Sequence, residues 1–177
     1  MWLSVVATGK NSVCHHEPIK AMKTWRDVYT LWSGNEVEYI GVSDSSMGFH
    51  LGEILDRAQP RTLIVWRPVN EVEASLRRQG FPVTSDYCAL LERRMNAFRG
   101  HPLVASVEFS ALSDPDVVAL CLRHLMPEAW IDINRIDDLM NKVIQVDPYE
   151  TMASAAKRID DLPSLLGEDV ISEIRFL

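Results

Sequence analysis

Only three cysteines, Cys14, Cys88 and Cys121, occur in 177 residues. They are too few and too scattered for a disulfide scaffold, and their odd number fits a reducing compartment. Long apolar runs are also missing: none approaches the roughly 20 residues of a membrane-spanning helix. The opening Met1-Trp2-Leu3-Ser4-Val5-Val6-Ala7 has no basic stretch ahead of its apolar residues, so no secretory signal is expected. These absences make the cytoplasm the expected location and leave no membrane partner. Basic residues are in the minority, with 18 Lys and Arg against 25 Asp and Glu, a net charge of −7 and a pI of about 5.2. That balance argues against a general nucleic-acid binder but leaves room for a local basic pocket. Internal repeats and low-complexity linkers are absent too.

What remains is ordinary globular material, 47% hydrophobic and 24% charged, which removes disorder and collagen-like order from consideration. The length suits a single domain over residues 1–177, able to bury roughly 70% of its unfolded surface without help from disulfides or metal.

Strand and helix patterns alternate along the chain. Residues 37–42 read as a strand ending in the polar tip Ser43-Asp44-Ser45-Ser46. Thr62-Leu63-Ile64-Val65-Trp66 is a continuous apolar run, the mark of a strand buried on both faces of a parallel sheet. Residues 103–109 form the third strand pattern. Helical spacing is read over residues 19–31, 47–58, 70–80, 85–99, from 114 onward, 134–143 and 148–159. Asn70 with Glu73 three residues on suggests a capping box, and Asp114-Pro115 suggests an N-cap followed by a first-turn proline. Residues 13–18 read as a polar loop, and the tail beyond Gly167 fits helix or strand equally. The expected architecture is α/β, a mainly parallel sheet flanked by helices, with ligands beyond the carboxyl ends of its strands. That rule singles out the loop after Val42, Arg67 after the second strand and Ser110 after the third.

Arg67 directly follows the buried strand, and Ser75 lies eight residues on, in the next helix. A guanidinium at a strand end offers a fork for a phosphate, and a hydroxyl from the adjoining helix can donate to the same anion. On spacing alone, a solvated or salt-bridged arginine is an equal reading.

Arg67-Pro68-Val69-Asn70-Glu71-Val72-Glu73-Ala74-Ser75 resembles the arginine–serine segment of P-loop sulfotransferases. Cys14-His15-His16-Glu17-Pro18 is similar to the acceptor-side "HEP" loop of bacterial and phage members. Gly41-Val42-Ser43-Asp44-Ser45 is similar to their second strand and its tip, and Phe109-Ser110-Ala111-Leu112-Ser113-Asp114-Pro115 to their "yedL-x-dP" turn. The resemblance spans residues 1–145. It implies a P-loop α/β fold and transfer of a sulfuryl group from 3′-phosphoadenosine 5′-phosphosulfate (PAPS) to a hydroxyl or amine of a small-molecule acceptor. It further implies Arg67 and Ser75 on the 3′-phosphate, His16 or Glu17 as general base, PAPS or adenosine 3′,5′-bisphosphate as co-substrate, and no metal.

Two departures qualify it. The donor-binding loop G-x-P-R-S-G-T-T-W-L is not in the sequence, and Met1-Trp2-Leu3-Ser4 looks like the stretch just after such a loop. That loop's backbone N–H groups bind the donor's 5′-phosphosulfate, so little or no turnover is expected of these 177 residues. Its strand is normally central, so its loss predicts a gap between two flanking strands. Either Met1 is internal to a longer chain, or the place is filled by residues 169–177 or by a partner. Unpaired central edges would also favour a homodimer. The R-K-G-x-x-G segment of eukaryotic cytosolic members is absent as well, which points to the bacterial and phage branch. Alternative readings are a nucleotide-kinase-like P-loop enzyme, without the Lys/Arg lid such an enzyme carries, and a non-catalytic binding or assembly protein on the same scaffold.

Each further candidate has a structural reading beside it. Cys14, His15, His16 and Glu17 are metal-capable but lack ligand spacing. Glu17 also suits a helix cap near Pro18, and Asp44 a cap on the helix near Met47. His124 lies on an apolar helix face, as core histidines do. Trp25 and Trp32 suit an acceptor pocket or plain core. Arg77-Arg78 and Arg93-Arg94 read as solvated faces, with Arg77 able to add positive potential near Ser75.

Overall fold

A computed structural model describes residues 6–9, 11–16, 18, 22–32, 37–78 and 85–142. Two parallel strand pairs, with helices packed around them, make up the α/β architecture. The first pair joins β1 (Ser12–His16) to β2 (Tyr39–Ser43), and the second joins β3 (Thr62–Trp66) to β4 (Val104–Glu108). Helices follow in the order α1 (Val28–Trp32), α2 (Leu51–Ala58), α3 (Val69–Arg78), α4 (Ser85–Asn96), α5 (Pro115–Leu125) and α6 (Ile133–Met140). The one sheet expected from the sequence is therefore two separate pairs among the described residues, with β2 and β3 not joined. The tail at residues 169–177 lies outside the described residues.

β3 explains why helices cover both sides. Side chains alternate across a strand, so Leu63 and Val65 pack with Val118 and Leu122 of α5 and Ile136 of α6. Ile64 and Trp66 point the other way, packing with Leu51 and Leu55 of α2 and with Met95 and Phe98. Tyr39 of β2 and Val107 of β4 reach the same cluster as Leu63 and Val65, as do Val6 and Ala7. The two strand pairs thus share one apolar layer although no ladder links them.

β1 corrects the polar loop expected at residues 13–18. Its residues lack an apolar alternation, so pattern does not reveal it; backbone hydrogen bonds hold it instead. Tyr39 N–H donates to the Asn11 carbonyl at 3.1 Å, Gly9 N–H to the Ser12 carbonyl at 2.9 Å, and Cys14 N–H to Thr8 Oγ1 at 3.1 Å. The helix expected over residues 47–58 begins instead as a 3-10 segment, Ser45–His50, which becomes α2 at Leu51. Gly48 lets that segment lie close against α4: a Cβ there would sit 2.7 Å from Leu91 Cδ1 and 3.1 Å from Met95 Cγ.

The caps divide. Asp114 accepts from Asp116 N–H at 2.9 Å, with Pro115 in the first turn of α5, as the sequence implies. Asp114→Ala should therefore cost about 1 kcal/mol, read as a lowered urea midpoint with an unchanged m-value. The Asn70–Glu73 box does not form. Pro68 carbonyl already accepts from Glu71 N–H at 2.9 Å and Val72 N–H at 3.1 Å, so α3 starts at Val69 and Asn70 lies inside its first turn. Among the described residues a capping box forms on Thr24 and Asp27, ahead of α1.

Candidate functional site

Parallel strands end side by side, so the register decides which residues meet at the carboxyl edge. In the first pair His15 stands opposite Val42 and His16 opposite Ser43, which brings Asp44 next to the end of β1. His16 is exposed at that end, and His15 is half-buried behind it. The His15 Nε2 atom is buried and has no hydrogen-bond partner among the described residues. Glu17, the other candidate base, lies outside the described residues.

Asp44 is held as a cap. Its Oδ1 accepts from Ser46 N–H at 3.0 Å and from the Ser46 hydroxyl, at the start of the 3-10 segment. The capping alternative for Asp44 is thus observed. His124 also takes its structural role, with Nε2 3.1 Å from the Thr62 carbonyl. Trp25 is core at 3% exposure, stacked on His50 with ring centroids 4.2 Å apart, and Trp32 packs on the same cluster.

In the second pair Trp66 stands opposite Glu108, so the next residues out, Arg67 and Phe109, become neighbours. The Arg67 guanidinium lies 4.7 Å from the Phe109 ring centroid. Its Nε donates to Glu71 Oε2 at 3.0 Å. Among the described residues its terminal nitrogens carry no hydrogen bond. Arg67 is one-third exposed. Ser75 is half-buried on α3, six residues past Val69. At 1.5 Å per residue that is about 9 Å along the axis. Glu71 and Ser75 are four apart on α3 and so share one side of the helix, while Arg67 lies two residues before α3 begins and reaches Glu71 through its side chain.

Residue type and spacing single out Arg67 and Ser75 but not Glu71 and Phe109. A signal for Glu71 is present in its i,i+4 spacing from Arg67. Phe109 becomes visible only once the β3–β4 register is known. The solvated faces are also partly corrected. Arg77 is exposed beside Glu73 at 3.9 Å, but Arg94 donates from Nη1 to the Phe49 carbonyl at 2.9 Å and ties α4 to the 3-10 segment. An arginine finds a buried-edge carbonyl here because the close approach at Gly48 brings the two elements together.

Shifted carboxyl and thiol groups lie away from these strand ends. The Arg26 guanidinium, bonded to Glu53 at 3.0 Å, holds that carboxyl below its ordinary value. Burial raises the thiols of Cys88 and Cys121, and neither is in a disulfide. A scarce thiolate in a closed environment reacts slowly. Native protein exposed to iodoacetamide should accordingly leave Cys88 and Cys121 unmodified until denaturant is added, as peptide mass spectrometry would reveal.

Among the described residues no group of three or more His, Cys, Asp or Glu is placed to hold a metal ion, and no helix is long and apolar enough to cross a membrane. The chain matches no protein-family model, no curated protein and no solved structure.

Proposed function

We propose that the chain is a sulfotransferase-like α/β protein whose β3–β4 end binds the 3′-phosphate of PAPS or of adenosine 3′,5′-bisphosphate. Arg67 carries the reading. It sits at the carboxyl end of a strand packed on both faces, and its terminal nitrogens carry no hydrogen bond among the described residues. Two parallel N–H groups of that kind match two phosphate oxygens. Ser75, further along the same side of α3, would donate its hydroxyl to the anion.

The arrangement of strands supports the same reading. In a P-loop fold the strand that bears the glycine-rich loop is central, and β2 and β3 here share an apolar layer without pairing. His16, at the end of β1, would act on the acceptor side. It would take the acceptor's hydroxyl proton as the oxygen forms its bond to sulfur and the bond from sulfur to the 5′-phosphate oxygen breaks. Glu17 is the second candidate for that proton.

One observation favours the alternative of a non-catalytic binding or assembly protein with no nucleotide at this end. Glu71 already pairs with Arg67 at 3.0 Å, and as a plain counter-charge it would compete with a phosphate for the guanidinium. Isothermal titration calorimetry with adenosine 3′,5′-bisphosphate tests the donor site, with adenosine 5′-monophosphate as the control lacking a 3′-phosphate. Binding of the bisphosphate alone supports the reading. Equal affinity for both nucleotides, or binding of neither, overturns it.

A further inference from the structure

Resting on that donor-site reading, we propose that Glu71 and Phe109 are positioning residues: together they hold the Arg67 guanidinium at the carboxyl end of β3 and leave its terminal nitrogens for a phosphate. A guanidinium has one edge that includes Nε and two terminal nitrogens beyond it. Glu71 takes the Nε position at 3.0 Å. Phe109 lies against the cation, 4.7 Å from its ring centroid to Arg67 Cζ. One contact fixes the direction of the side chain and the other restrains its face, so neither consumes the terminal donors.

The chain supplies the two restraints by independent routes. Glu71 comes from the first turn of α3, four residues after Arg67, while Phe109 follows the adjacent strand through the Trp66–Glu108 register. Phe109 is 45% exposed, high for a large apolar ring. Its contact with a cation gives that exposed ring a partner. A flexible arginine loses rotamer freedom on binding, and one already held in place loses less.

An acidic residue at an anion site admits two opposite roles, and they differ in sign. If Glu71 is only a counter-charge, removing it strengthens phosphate binding. If it orients Arg67, removing it weakens binding although the site becomes more positive.

Calorimetry on the 177-residue protein with adenosine 3′,5′-bisphosphate as the probe separates the two. Glu71→Ala and Phe109→Leu should each weaken binding by roughly threefold to tenfold. Glu71→Gln, which keeps an acceptor for Nε, should fall between Glu71→Ala and wild type, and Phe109→Tyr should restore wild-type affinity. Thermal midpoints of the variants should stay close to wild type, because both side chains are at the surface.

Nitrogen-15 NMR of the wild-type protein provides a readout that does not depend on the variants folding. The Arg67 Nε–H signal should be protected before the probe is added and retained at saturation, while the terminal signals shift. Unchanged or tighter binding by Glu71→Ala, unchanged binding by Phe109→Leu, or loss of the protected Nε–H signal at saturation overturns the proposal. If wild type binds no probe, the donor-site reading itself fails and the proposal with it. If wild type binds, Arg67→Ala does not, and Glu71→Ala binds as well as wild type, the positioning proposal alone fails.

Discussion

Arg67→Ala should remove most of the affinity for adenosine 3′,5′-bisphosphate. A hydrogen bond to a charged group contributes about 1.5–3 kcal/mol, which corresponds to roughly a 10- to 150-fold weaker Kd. Arg67→Lys should recover only part of the loss, because an ammonium is a point charge without the planar fork. Ser75→Ala removes a neutral donor to a charged oxygen and should have a smaller effect than Arg67→Ala. Affinity should also fall as salt rises, since the attraction acts across a one-third-exposed guanidinium. Titrations of wild type and these three variants at two salt concentrations would measure all of this. An Arg67→Ala protein that binds as tightly as wild type would remove Arg67 from the site, leaving its contacts with Glu71 and Phe109 as surface packing.

Val118→Asp should prevent folding under ordinary conditions. Val118 is 0% exposed on α5, in a cluster with Leu112, Leu122 and Ile136 that also meets Leu63 and Val65 of β3. The described members of that cluster offer a carboxylate no cation to pair with. Burial would drive it to its neutral form, and even a neutral carboxyl without hydrogen bonds costs several kcal/mol in an apolar interior. Domains of this kind are stable by about 5–15 kcal/mol in total, so the loss is comparable to the whole. Two residues on, Leu120 is 62% exposed on the same helix. Leu120→Asp should change stability by less than about 0.5 kcal/mol. Far-UV circular dichroism and urea titration of the pair make the comparison. Similar losses in both would mean that α5 does not present its Val118 side to β3.

These two predictions rest on features of unequal legibility. β3 can be read from residues 62–66 alone, because a strand covered on both faces must be apolar throughout. α5 can be placed from Asp114-Pro115 and its apolar spacing. β1 cannot: Ser12, Cys14, His15 and His16 carry no alternation, and the strand exists because Ser12–His16 finds a parallel partner in Tyr39–Ser43. Asn70 misleads for a related reason. Local chemistry allows it to cap, but the Pro68 carbonyl is already in place ahead of it.

The site divides in the same way. Arg67 and Ser75 are recognisable as residue types at a suggestive spacing, and Glu71 by its distance from Arg67. Phe109 is 42 residues from Arg67 in the chain, and no periodicity links them. By itself the sequence determined the α/β class, the buried character of β3 and the placing of a cation at its carboxyl end, because all three depend on hydrophobic pattern and turn chemistry within a few residues. Only the tertiary structure decided that the described strands pair as two separate units, that Asp44 caps the 3-10 segment through Oδ1, and that Arg67 lies against Phe109 and bonds to Glu71. Those outcomes depend on strand register and on competition among nearby partners, which are properties of the assembled chain rather than of any local stretch of it.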